Sequence, residues 1–292
     1  MTTYSPEVPL KVLAYGGTAR SGKNTVVQEI AAQYPFVATD ETGADYRLAV
    51  WSLLELGELE PGMPKDLVMR RVQAVGFDTL TAIVAARPVF FEAHTSEELH
   101  TPKIDDLVHL AGPAPVLRKA VKAGFCQRIE NVRDSGSCSV LLVDGRNLAP
   151  VVHSVGGTAV VMDTFVTCSA LEAAKRECNR QKIPLSSEKG QEVYMSILRR
   201  NHSDAQRPHD PVVPNGDAID YWNPGIQTLH EHDYADPVLR GVGSLAVKSG
   251  RQVLFNTTFF RRYEDPRGSM VSAATQMFDE ALERAASYVP MA

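Results

Sequence analysis

Apolar positions along this chain alternate between two patterns. Short apolar runs recur at "LKVLAY" (10–15), "FVAT" (36–39), "SVLLVDG" (139–145), "TAVVMDTF" (158–165) and "QVLFNTT" (252–258). Between several of them, apolar residues return at helical spacing: Val26, Val27, Ile30 and Ala31 on one face, and Leu48, Val50, Leu53 and Leu54 on another. Short β-rich runs alternating with helices predict an α/β fold, a mostly parallel sheet flanked by helices. The last segment, "SMVSAATQMFDEALERAASYV", puts Met270, Ala273, Met277 and Ala281 on one helical face.

Two regions break the rhythm. Residues 57–115 contain Pro61, Pro64, Pro88, Pro102, Pro113 and Pro115, and the run "TAIVAARPVFFEA" within them predicts a hairpin. This region is expected to be a small insertion on the edge of the sheet. Residues 208–250, rich in Pro, Gly, His and Asp, predict a long loop or excursion. Its "HEHDYAD" run, His230 to Asp236, carries His and Asp at spacings that invite a metal assignment. It lacks a third ligand set, so a surface loop is the expectation. No internal repeat or low-complexity tract is visible.

Composition narrows the class. With 292 residues, 44% of them hydrophobic, the chain has material for one large domain or two small ones. A net charge of −5 argues against a protein that coats nucleic acid, while leaving room for a local group of arginines around a phosphorylated ligand. The start "MTTYSPEVPL" has no charged-then-apolar signal pattern, and no apolar run approaches membrane-spanning length. Cys126, Cys138, Cys168 and Cys178 form no C-x-x-C pair and read as reduced, mostly buried thiols of a cytoplasmic protein.

The candidate chemistry begins at Gly17-x-x-x-x-Gly22-Lys23, directly after one predicted strand and directly before a predicted helix. Glycines let a backbone turn tightly and aim its N–H groups at a phosphate; the helix N-terminus and the lysine add positive charge. Asn24 stands where the usual motif brings a hydroxyl toward Mg²⁺, and Thr25 can supply that hydroxyl one position later. Arg20 inside the loop is expected either to face solvent or to reach over a bound nucleotide.

Four further blocks carry a family resemblance. "DETGADYRLAVWSLLE" (40–55) is similar to the D-[ST]-G-A-x-Y-R element of the cytidylate kinases, and "LLVDGRNLAPVV" (141–152) to their strand followed by DGRD. "VVMDTFVTCSALEAAKRECNRQ" (160–181) resembles their arginine-bearing helix leading into a lid, and "RRNHSDAQRPHDPVVP" (199–214) their R-x-x-x-D-x-x-R…P closing segment. The likeness covers most of residues 10–212 and resumes near 252–288. It implies a single nucleoside monophosphate kinase domain. Its parts are a core at 10–56, a monophosphate-binding insertion at 57–115, core again at 116–175 and a lid at 176–203. A core return with a family-atypical insertion follows at 204–250, then a C-terminal strand and helix at 251–288.

The resemblance implies phosphoryl transfer from ATP, with Mg²⁺, to a pyrimidine nucleoside monophosphate, CMP or dCMP. Small nucleotides would be the partners, with neither nucleic acid nor membrane. Such catalysis is positioning plus electrostatics, with arginines and a metal as its instruments. By the resemblance, Gly17, Gly22, Lys23, Asn24 and Thr25 serve the ATP phosphates, with Thr25 toward the metal. Arg146 and Arg200, with Arg47, would hold the acceptor phosphate, and Arg176 would reach the ATP phosphates from the lid; Lys23, Arg146, Arg176 and Arg200 are the candidate catalytic set. Thr42 belongs to the acceptor-binding block, and Asp204 and Arg207 would meet the ribose hydroxyls and base edge. Near the base, Asn147 replaces a family aspartate, His109 aligns with a small hydroxyl residue, and Arg118 keeps an arginine. An amide both accepts and donates hydrogen bonds, so weaker discrimination between cytosine and uracil is expected. Two other readings stay open: a related kinase with another small acceptor, and a nucleotide-binding module with chemistry eroded at Arg20, Asn24 and Asn147.

Overall fold

The computed structural model describes residues 9–146, 148–206, 212, 218–220, 252–258 and 264–287. The chain forms two compact units: residues 10–39, 138–153 and 158 onward make one, and residues 40–137 with 154–157 make the other.

The first unit is built on a sheet. Its strands are β1 (Leu10–Gly17), β2 (Val37–Glu41), β3 (Val140–Asp144), β4 (Thr158–Thr167), β5 (Ala218–Asp220) and β6 (Gln252–Asn256). Among the described residues the order is β2-β3-β1-β4-β6-β5. β1 runs parallel to β3 on one side and to β4 on the other, with Tyr15 opposite both Asp144 and Thr164. β4 and β6, and β6 and β5, are also parallel. Parallel sheets need apolar cover on both faces, which explains why β1 reads as a nearly continuous apolar run. Leu13 and Tyr15 face a core with Val26, Val27 and Ile30 of α1 (Lys23–Gln33) and Met270, Met277 and Phe278 of α11 (Pro266–Ser287). Burying each such side chain contributes about 1.5–3 kcal/mol.

A short helix, α8 (Ala149–Val152), precedes β4, and two longer helices follow it. In α9 (Ala170–Gln181) the Ser169 side chain accepts from the Glu172 N–H at 3.2 Å, an N-cap that fixes where the helix begins. In α10 (Glu188–Ala205) Ser187 does the same for Gly190 at 3.1 Å. Between them Lys182 turns the chain with φ 56°, the left-handed conformation that ends many helices. Ala170, Ala173 and Ala174 are small enough to let α10 pack close, through Ile197.

The second unit is helical: α2 (Thr42–Glu55), α3 (Lys65–Val75), α4 (Phe77–Ala85), α5 (Arg87–Ala93), α6 (Pro102–Ala111) and α7 (Pro115–Ser135). The hairpin expected over 81–93 is instead the end of α4 followed by α5. The run has no alternation to make one strand face polar. Leu80 and Val84 are buried, with Ile83 packed beside them, at helical spacing, and Pro88 lies in the first turn of α5, where no intrahelical N–H is needed. α4 packs against α7 at Gly124, where a Cβ would collide with Val84 Cγ1 and lie 3.2 Å from Val84 Cβ.

The expected long loop contains β5, too short to stand out by pattern, and the "HEHDYAD" run lies outside the described residues. Cys138, Cys168 and Cys178 are buried and Cys126 is partly so, all as free thiols. No helix among the described residues is long and apolar enough to cross a membrane.

Candidate active site

The glycine-rich segment leaves β1 in the sheet unit and enters α1 at Lys23. Gly17 has φ 134° and Gly22 φ 95°, both in the region that favours glycine. At Gly17 a Cβ would overlap the Val166 carbonyl of β4, so the loop leaves the sheet where no side chain fits. The loop backbone is tied down at each end. The Thr18 N–H donates to the Val166 carbonyl at 3.0 Å, and the Thr18 carbonyl accepts from Lys23 Nζ at 2.8 Å and from Ser21 Oγ at 3.0 Å. Thr25 is half-buried in the first turn of α1, and Asn24 is exposed. Asp144 ends β3, buried, in register with Tyr15 two residues ahead of Gly17.

Arg20 adopts φ 58°, a left-handed conformation that disfavours a side chain, and its half-exposed guanidinium pairs with Glu177 of α9 at 3.4 Å. It is thus exposed to solvent, as one of the two expectations held, while its Nε pairs with neighbouring protein. Glu177 also accepts from Arg180 and from Gln181. Burial pushes its carboxyl up, but these bonds and the charges of Arg20 and Arg180 outweigh that and hold it below the usual carboxylate range.

Arg176, on the same helix, lies against the loop. Its Nη1 donates to Thr257 Oγ1 at 3.0 Å and to the Ser21 carbonyl at 3.4 Å, its Nη2 to the Thr257 carbonyl at 2.9 Å, and its Nε to Glu172 at 3.3 Å. Thr257 directly follows β6 and is fully buried.

A second cluster in this unit joins three candidate residues. Asp204, near the end of α10, is almost wholly buried; Arg146 Nη1 donates to its carboxylate, and Arg200 Nε lies 4.0 Å from the same oxygen. Arg146 follows β3 and Arg200 precedes Asp204 by one helical turn, so Arg146 reaches across 58 positions of sequence to a carboxylate that Arg200 also approaches. Guanidiniums gathered at one point are the groups that meet phosphate oxygens in two-point contacts. Asn147 and Arg207 lie outside the described residues.

In the helical unit, Thr42 is buried at the first residue of α2, and Arg47 in its second turn pairs with Asp105 at 3.2 Å and Glu41 at 3.7 Å. His109 is exposed in the last turn of α6, and Arg118 is half-buried near the start of α7. Beside Thr42 lies a feature the sequence reading did not assemble. Arg87 and Arg128 interleave with Asp40 and Asp45: Arg128 Nε donates to Asp40 at 2.8 Å and its Nη2 to Asp45 at 2.6 Å, while Arg87 reaches Asp40 at 2.9 Å and Asp45 at 3.1 Å. Burial pushes the Asp45 carboxyl up to about 6 against the pull of both arginines. Desolvation works against the Arg128 charge too, but its bonds to Asp40 and Asp45 outweigh that and hold the guanidinium more firmly charged than usual. Asp45 fills the unspecified position of the first family block, so its charge was visible there. Its partners, 42 and 83 positions later, carry no spacing signal. Thr257 was missed for the same reason: its partner Ser21 is 236 positions away.

Comparison with known proteins identifies the family of the chain. The family model described as cytidylate kinase matches residues 13–228. A cytidylate kinase of Desulfitobacterium hafniense is 28% identical over 227 residues, covering 74% of this chain and 86% of that protein. One of Carboxydothermus hydrogenoformans is 28% identical over 211 residues, covering 71% and 87%. A bifunctional pantoate ligase/cytidylate kinase of Synechococcus is 28% identical over 233 residues, covering 75% of this chain and 38% of that protein. The chain belongs to the cytidylate kinase family of nucleoside monophosphate kinases.

Proposed function

We propose that this chain transfers the terminal phosphoryl group of MgATP to a pyrimidine nucleoside monophosphate, CMP or dCMP. The bond between the γ-phosphorus and the ADP oxygen breaks as one forms to an oxygen of the acceptor phosphate, giving the nucleoside diphosphate and ADP. The observation that carries the reading is the loop between β1 and α1, with its two positive-φ glycines, its anchored carbonyls and Lys23 held against it. In this reading the loop N–H groups and Lys23 cradle the donor phosphates.

The donor set suits Mg²⁺. Among the described residues no group of three or more His, Cys, Asp or Glu side chains is placed to hold a metal ion. Mg²⁺ in such enzymes is bound largely through substrate phosphates and water, so Thr25 with the nucleotide fits that requirement. When bound, the ion offsets charge on the donor phosphates.

Arg146 and Arg200 would grip the acceptor phosphate, with Asp204 holding both guanidiniums ready and exchanging part of its pairing for a ribose hydroxyl. Arg47, Thr42, Arg118, Asn147, His109 and Arg207 are assigned to the acceptor on the resemblance alone, as is the approach of Arg176 to the donor phosphates. ADP release measured over CMP, dCMP, UMP and AMP tests the proposal. CMP or dCMP should give the highest kcat/KM, with UMP accepted more readily than a strictly cytosine-reading site would allow. A cytosine preference of about 10⁴-fold over uracil would refute the relaxed base reading. ATP binding with no product from any monophosphate would refute the kinase reading.

A further inference from the structure

The contacts around Thr257 go beyond the loop's own sequence. This residue follows β6, far from the glycine-rich motif in the chain, and is fully buried. Its hydroxyl lies 2.7 Å from the Ser21 carbonyl and 3.1 Å from the Thr167 carbonyl, and it accepts from Arg176 Nη1 at 3.0 Å. A hydroxyl has one proton to give, and the shortest contact assigns it to Ser21. A trans peptide sends its C=O and N–H in opposite directions. Fixing the Ser21 carbonyl toward Thr257 therefore aims the Gly22 N–H the other way. The backbone carbonyl of Thr257 meanwhile accepts from Arg176 Nη2 at 2.9 Å, so one residue holds both the loop peptide and the arginine. Its neighbour Thr258 accepts from the Ser169 N–H at 2.7 Å, tying the first turn of α9 to the same point.

We propose that Thr257 is a positioning residue for the donor nucleotide: its hydroxyl sets the direction of the Ser21–Gly22 peptide and the placement of Arg176, and so the affinity for the ATP phosphates. The inference rests on the reading of the loop as an ATP cradle. Its reach is specific. The hydroxyl governs the donor side, and affinity for the acceptor monophosphate should not follow it.

The experiment is a graded series, Thr257→Ser, Thr257→Cys and Thr257→Val, which keeps the residue small while weakening its hydrogen bonding. MgATP affinity is measured by calorimetry without acceptor, alongside KM for each substrate and a thermal melt. Thr257→Val should weaken MgATP binding about tenfold or more, the effect of losing a hydrogen bond shared with a charged group. Thr257→Ser should restore it to within about threefold of the parent chain, with Thr257→Cys between. KM for the monophosphate should change by less than about twofold, since no Thr257 contact involves the Arg146–Asp204 cluster. Should the valine variant fail to fold, the serine–cysteine comparison carries the same ordering. Equal MgATP affinity across the series, or parallel losses for donor and acceptor, overturns the inference while the cradle stands. Absence of MgATP binding in the parent chain overturns both.

Discussion

Replacing Arg128 by methionine keeps most of the side-chain volume and removes one charge from a compensated group of four. In the parent chain Arg128 is about nine-tenths buried and makes three bonds to Asp40 and Asp45, whose side chains are 8% and 0% exposed. Without it, two buried carboxylates share Arg87 alone. Removing one partner from a buried ion pair costs about 3–5 kcal/mol, because the stranded charge stays desolvated. Protonation of Asp45 offers partial relief, and that makes the cost depend on pH. Its folded pKa, about 6, lies above the unfolded value of about 3.9. A carboxyl raised in this way contributes stability that is complete below the unfolded value and is lost as pH climbs through the folded one. In the parent chain that loss sets in as pH rises toward neutrality. Without Arg128 the folded value rises further and the window extends upward. Urea denaturation followed by circular dichroism should therefore show Arg128→Met destabilised more at pH 8 than at pH 5. Adding Asp45→Asn should remove most of that difference. A penalty under about 1 kcal/mol at both pH values, or a larger one at pH 5, would refute the account.

Three other outcomes are expected. Lys23→Ala should lower kcat by about 10²–10³-fold, since the transition state loses a donor at its most negative region; normal turnover would remove the cradle assignment. Gly124→Ala should destabilise by about 1–3 kcal/mol through its clash with Val84, and adding Val84→Ala should recover most of that, measured by thermal melts. Arg20→Gly should leave stability within about 1 kcal/mol, because relief of the left-handed backbone offsets a half-exposed ion pair to Glu177; a larger loss in urea denaturation would give the Arg20–Glu177 pair a greater structural role.

The parts of the fold legible in sequence were those set by local pattern. β1 and β3 announce themselves because a strand buried on both faces reads as a nearly continuous apolar run, and α11 because its buried residues repeat at helical spacing. The same rule misled at 81–93. A continuous apolar run fits a buried helix as well as a strand, and Pro88 falls in the first turn of α5, where a helix tolerates proline. In the candidate site, the glycine loop was visible because conformation and spacing coincide there. The Asp40–Arg87–Arg128–Asp45 group and the Thr257–Ser21 bond were not, since both depend on which distant segments the fold brings together. Arg176 was identified by its place on the helix after β4, but not its docking on the Ser21 carbonyl.

The attachment of α9 limits what the region from 176 to 203 can do. A helix fastened at Ser169, and again two turns later at Arg176 and Glu177, has no free pivot at its own beginning. Displacement of α10 must then take its axis from the turn at residues 182–187, or slide along α9. Any rearrangement of α10 that nucleotide binding requires is thereby confined to that turn and to the α9–α10 interface.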